Sequence, residues 1–132
     1  LFKFTKNILE NKEIEVYNKG NHIRDFTYID DVVESIIKLI KRIPKKAKNS
    51  NARYRVVNIG GSNPITLKQF IKEIESQLNK KSIQKLLKLQ PGDIIKTSAS
   101  TKKLEKLIKF KPKKNYKYGI GKFVKWYVNY YK

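Results

Sequence analysis

Cysteine and methionine are both absent from these 132 residues, and histidine and tryptophan occur once each. Without Cys there is neither a disulfide framework nor a thiolate metal site. The single histidine, His22, falls in a turn with no carboxylate or Ser partner at a suggestive spacing, so it reads as incidental and no metal set is expected. No apolar run reaches the roughly 18 residues that span a bilayer, and the N-terminus lacks the long apolar stretch of a secretory signal. A cytoplasmic protein without membrane contact is the expectation. The chain opens at Leu1 with no Met and has no glycine-rich turn of the kind that cradles phosphates, so it reads as a piece of a longer protein.

Arginine is scarce too. Only 4 of the 31 basic residues are Arg, against 11 acidic residues and a formal net charge of +20. A basic surface can bind nucleic acid by releasing counterions from phosphates. Here Lys, Ile and Asn are over-used together, as an AT-rich genome produces at tolerant surface positions. Arg, the better residue for bidentate phosphate and base contacts, is nearly absent. The lysines run along every element rather than gathering on one, apart from Lys45-Lys46 and the stretch from Lys109 to Lys117. A solvated surface is the better reading, and a small basic nucleic-acid-binding protein is the rival from another class.

What is present is an alternation of short strands and amphipathic helices, hence an α/β chain. Residues 1–11 read as a helix with Leu1, Phe4 and Ile8 on one face, and residues 14–17 as a short strand. Lys19-Gly20-Asn21 supplies a turn, and residues 24–29 the returning strand. A helix is expected from Asp30, as N-cap, to about Ile43, with Val33, Ile36, Ile37 and Ile40 at helical spacing and Pro44 ending it. Residues 45–52 are polar and read as an exposed loop. Residues 53–59 are β-rich and close on Gly60-Gly61. Thr66 with Gln69 forms a capping box, each side chain satisfying the other's free backbone N–H. It opens a helix whose buried stripe is Leu67, Phe70, Ile71, Ile74 and Leu78. Residues 83–89 suit a strand, Ser100 a cap for a short helix broken by Pro112, and residues 118–131 a final helix.

Three groups could carry chemistry. Arg24 heads a strand after a flexible turn, where a guanidinium can point into a cleft and match phosphate oxygens with two parallel donors; the structural alternative is a pair with Asp25 or Asp30. Asp93 follows Pro91-Gly92, and its carboxylate can accept from both hydroxyls of a ribose, although aspartate after Pro-Gly is also an ordinary turn residue. Tyr118 and Lys122, four residues apart, could pass for a phenol and a lysine that lowers its pKa. They lie in a terminal amphipathic helix and are rejected as a chance pair. Asp30-Asp31 reads as capping, and Trp126-Tyr127 with Tyr130-Tyr131 as packing rather than a stacking surface for bases.

Arg24-Asp25-Phe26-Thr27-Tyr28-Ile29-Asp30-Asp31, then Asn58-Ile59-Gly60, then Gln90-Pro91-Gly92-Asp93 before Thr97-Ser98-Ala99-Ser100 stand in one collinear order. Together they resemble the carboxyl-terminal, nucleotide-sugar-gripping part of the extended short-chain dehydrogenase/reductases of the NAD-dependent epimerase/dehydratase family, and in particular the UDP-glucuronate 4-epimerases. The resemblance extends to Phe110-x-Pro112 and the tail from Gly119 to Tyr131. It implies part of a Rossmann-type enzyme whose N-terminal dinucleotide-binding half is missing from this chain. That half would hold NAD and the catalytic Tyr, so no catalytic residue is expected here. The intact protein would be a homodimer that inverts C4 of a nucleotide-linked hexuronic acid, interconverting UDP-glucuronate and UDP-galacturonate. Arg24 would contact the diphosphate, Asp93 the ribose, and Gln90 a phosphate that relatives grip with Arg. Val16 and Tyr17 would lie near the uracil. A related dehydratase or UDP-glucose 4-epimerase would share this grip. The strand ending at Ile59 would join the missing sheet and leave a bare edge here.

If the lysines form only a solvated face, the protein should not retard duplex DNA in a gel at about 0.15 M salt. Retention there, falling steeply as salt rises, would favour the nucleic-acid reading.

Overall fold

A computed structural model describes residues 1–46, 48 and 51–131. Helix α1, Phe2–Leu9, and strand β1, Glu13–Val16, lead into a tight turn over Tyr17–Gly20. Asn18, Lys19 and Gly20 all take left-handed backbone in that turn (φ 48°, 49° and 78°). Strand β2 is only Ile23–Arg24 and is followed by helix α2, Ile29–Ile40. Strand β3, Ile65–Thr66, runs directly into α3, Leu67–Leu78; then come β4, Ile83–Leu86, α4, Lys102–Ile108, and α5, Tyr116–Tyr131.

The described residues form two small sheets. β1 pairs in parallel with β4, Val16 opposite Leu86. β2 pairs antiparallel with β3, Ile23 opposite Thr66. α1, β1, β3, α3 and α5 meet around Ile8, Ile14, Val16, Ile65, Phe70, Ile71, Ile74, Ile120 and Val124. Ile14 and Val16 point inward while Glu13 and Glu15 face water, the period-2 alternation of a half-buried strand. The capping box forms as expected: Gln69 N–H donates to Thr66 Oγ1 at 3.2 Å, and Thr66 N–H to Gln69 Oε1 at 2.9 Å. No helix among the described residues is long and apolar enough to cross a membrane.

Several expectations are corrected. The strand expected over 24–29 is two residues long, because the chain leaves the ladder at Asp25. There Phe26 stacks on Phe70 at 4.5 Å between ring centroids. α2 begins after Tyr28 and ends at Ile40, ahead of Pro44, and no side chain caps its start. Asp31 is instead buried and reaches across the chain, accepting from the backbone N–H groups of Lys113 and Lys114 at 2.9 and 2.8 Å. Exposed Asp30 pairs with the Lys114 ammonium at 3.2 Å. That contact raises the Lys114 pKa above its ordinary value, against a smaller opposing effect of burial. Residues 53–59 make no strand; among the described residues a single Lys46–Arg53 bridge is their only ladder contact. In the 45–52 loop, Lys45, Lys46, Lys48, Asn51 and Ala52 are exposed, and residues 47, 49 and 50 lie outside the described residues. α4 starts after Thr101 rather than Ser100.

Asp31→Ala should lower unfolding stability by about 2–3 kcal/mol in urea, since two partly buried N–H groups lose a charged acceptor. Asp30→Ala, at an exposed pair, should leave the midpoint almost unchanged. Equal effects would refute the different roles assigned to these neighbours.

Candidate functional site

β2 is the hinge of the site. Ile23 pairs with Thr66 on one side, and on the other its N–H donates to the Ile95 carbonyl at 2.9 Å while its carbonyl accepts from Thr97 N–H at 3.1 Å. This pairing lays the 90–97 loop beside His22-Ile23-Arg24. The loop itself turns at Gln90-Pro91-Gly92-Asp93, closed by Asp93 N–H donating to the Gln90 carbonyl at 3.2 Å. Proline second and Gly92 third at φ 79° are the requirements of a type II turn. A Cβ on Gly92 would meet nothing within 4 Å, so conformation alone demands glycine there.

Arg24 and Asp93 come into direct contact. One terminal nitrogen of the guanidinium, Nη2, lies 3.2 Å from Asp93 Oδ1. The other, Nη1, donates to the carbonyls of Ile23 and Ile95 at 3.1 and 3.3 Å. Both side chains remain about one third exposed, 32% and 31%. The guanidinium is therefore fixed in place yet open to a solvent-borne anion. Pairing of Arg24 with Asp25 or Asp30, the structural alternative, does not occur, because each of those carboxylates is engaged elsewhere.

Asp25 carries the frame. Its Oδ2 accepts from the backbone N–H groups of Ser62 and Ala99 at 3.1 and 3.0 Å, and its Oδ1 from that of Asn63 at 3.2 Å. Its own N–H donates to Thr97 Oγ1 at 3.3 Å. One carboxylate thus ties two loops, 60–63 and 97–101, to the end of β2. Gly60 and Gly61 permit it: a Cβ on Gly60 would fall 2.5 Å from the Ala99 Cβ, and one on Gly61 2.3 Å from the Phe26 carbonyl oxygen. The Asn58-Ile59-Gly60-Gly61 pattern is a close-approach requirement.

Val16 is 1% exposed, its side chain closed into the core, so only its backbone could meet a ligand. That backbone adjoins Leu87, whose N–H donates to the Val16 carbonyl at 3.0 Å. Tyr17 begins the turn after β1, and its hydroxyl donates to Glu15 at 3.3 Å. Burial, together with the Glu15 charge, raises the Tyr17 pKa. Gln90 has an exposed side chain at the head of the turn. Tyr118 and Lys122 sit on α5, with the ammonium 5.6 Å from the ring centroid. An apolar recess of about 350 Å³ is lined in part by Phe26, Tyr28, Phe70 and Phe123, and neither Arg24 nor Asp93 lines it.

His22 overturns its reading as incidental. It is 5% exposed, and its Nε2 lies 2.9 Å from Asp93 Oδ2. The signal was available: His22 and Arg24 are two apart across a strand, so they share a face. Their common partner is 69 residues beyond Arg24 and could not be read from spacing. Among the described residues no cluster of three or more His, Asp or Glu is placed to hold a metal ion.

Residues 1–60 match the NAD dependent epimerase/dehydratase family. Across its whole length the chain is 43% identical to Protein CapI of Staphylococcus aureus and 38% identical to a probable UDP-glucuronate 4-epimerase of Rhizobium meliloti, spanning 42% of each. The solved structure of UDP-glucuronic acid 4-epimerase from Bacillus cereus with UDP-glucuronic acid and NAD superposes with a TM-score of 0.82 at 26% identity. That match covers 97% of this chain and 39% of that one. The chain therefore spans about two fifths of the length of these relatives and corresponds to their carboxyl-terminal part.

Asp25→Ala should destabilise the protein by about 3 kcal/mol, because three backbone N–H groups lose one acceptor. Gly61→Ala should be destabilising as well, since a Cβ collides with backbone rather than a movable side chain. Wild-type melting temperatures for both variants would contradict the role given to Asp25.

Proposed function

We propose that this chain is part of an NAD dependent epimerase/dehydratase family protein and forms the nucleotide-gripping part of a nucleotide-sugar epimerase. The substrate pair we infer is UDP-glucuronate and UDP-galacturonate, interconverted at C4. The observation that carries the proposal is the contact of Arg24 with Asp93 at 3.2 Å, on a surface where both remain accessible. A guanidinium offers planar donors to a diphosphate, and a carboxylate beside it can accept from the two hydroxyls of the adjoining ribose. Gln90, at the head of the same turn, adds a neutral donor; the Val16 backbone and the Tyr17 ring would flank the base. A C4 inversion needs such an arrangement, because the nucleotide must stay clamped while the sugar turns.

NAD has no fit within these residues. The six glycines include no Gly-x-Gly-x-x-Gly turn, so nothing in the chain matches a dinucleotide pyrophosphate site, and no redox step is assigned to it. The cofactor and the catalytic base would belong to the rest of the protein. An unpartnered apolar surface supports a larger body. Val33, Ile36, Ile37 and Ile40 on α2 are 46–74% exposed, as are Tyr54 and Val56 in the extended 53–59 segment. We propose that the dinucleotide-binding half covers this face and that residues 53–59 complete its sheet.

In the full-length protein, Arg24→Ala should weaken UDP binding by about 1.5–3 kcal/mol, roughly ten- to hundredfold, in calorimetric titration. An unchanged affinity would remove Arg24 from the site and the proposal with it.

A further inference from the structure

We infer that His22 is a positioning residue for the nucleotide site: its ring nitrogen stands beside the rear oxygen of Asp93 and favours the orientation in which the carboxylate meets the ribose. This rests on the reading of Arg24 and Asp93 as a nucleotide grip. Asp93 is contacted at both oxygens, Oδ1 by Arg24 at 3.2 Å and Oδ2 by His22 at 2.9 Å. The two contacts differ in kind. Arg24 is one third exposed and faces a prospective ligand, whereas the His22 side chain is 6% exposed and has no access to one.

The His22 ring nitrogen also lacks a settled partner. Despite its 2.9 Å approach to the carboxylate it lies off the alignment of a hydrogen bond, and it is among the buried polar atoms without one. Buried polar groups left unpaired carry a free-energy cost, and a modest rotation of the Asp93 carboxylate would relieve it. The His22 backbone is not free to move in compensation, since its carbonyl accepts from Leu67 N–H at 2.8 Å at the start of α3. The Asp93 side chain is 31% exposed on a surface turn, so the carboxylate is the adjustable member. A ribose that drew Asp93 into line with its hydroxyls would complete the His22 hydrogen bond in the same movement. His22 thereby favours the nucleotide-bound orientation.

The test compares two probes, UDP and 2′,3′-dideoxyuridine 5′-diphosphate, by calorimetry on the full-length protein. His22→Leu and His22→Phe remove the donor while keeping bulk, and His22→Gln keeps a donor. For whichever apolar variant retains the wild-type melt, UDP affinity should fall about tenfold. Affinity for the dideoxy probe should stay unchanged, and His22→Gln should recover most of the loss. Combining the apolar variant with Asp93→Ala should add nothing to Asp93→Ala alone. Equal weakening of both probes, no recovery with Gln, or additivity with Asp93→Ala would overturn the inference. If Arg24→Ala and Asp93→Ala both leave UDP binding intact, the nucleotide-grip reading itself fails. If those two weaken binding and the His22 variants do not, only the positioning role is lost.

Discussion

One half-buried carboxylate organises the face that carries Arg24 and Asp93. Asp25 gathers the backbone N–H groups of Ser62, Asn63 and Ala99, which lie 37, 38 and 74 residues away along the chain. An ionised carboxylate is among the strongest acceptors available to a backbone amide, and leaving three such amides without it would be costly. The glycines at 60 and 61 exist in this arrangement because the loop must approach Asp25 and Phe26 more closely than a Cβ allows. Once those loops are fixed, the 90–97 segment pairs along Ile23, and Asp93 is delivered to Arg24.

The same economy recurs at Asp31, which gathers Lys113 and Lys114 N–H at the entrance to α5. In a chain with 31 basic and 11 acidic residues, the carboxylates are the scarce groups. Asp25, Asp31 and Asp93 are spent on contacts spanning 37 to 83 residues, while most lysines face solvent. The net charge of +20 is thus a poor guide to the candidate site, which brings together one arginine, one aspartate and one buried histidine.

How much could be read beforehand follows from the range of each interaction. The Thr66–Gln69 capping box and the stripe along α3 were legible because every partner lies within one or two helical turns. Resemblance singled out Arg24, Asp93 and the order of motifs; that the two side chains touch at 3.2 Å is what the structure adds. The strand over 24–29 was over-read: its alternation was real, but the Asp25 side chain and the Phe26–Phe70 stack draw the chain off the ladder. Residues 53–59 have strand composition without a strand, since a ladder needs a neighbour that the described residues do not provide. Asp31 was mistaken for a cap, and the carboxylate beside His22 was missed, for one reason: each contact lies some 70 or more positions away, which no local spacing records.

The most direct measurement is an NMR titration of the isotope-labelled full-length protein with UDP, following backbone amides and arginine side chains. If Arg24 and Asp93 share one nucleotide, the largest shifts will centre on the Arg24 guanidinium and on residues 90–97, with the aromatic end of α5 unmoved. Shifts confined to the lysine-rich surface, or an Arg24 signal that never moves at saturating UDP, would contradict a nucleotide site built on this pair.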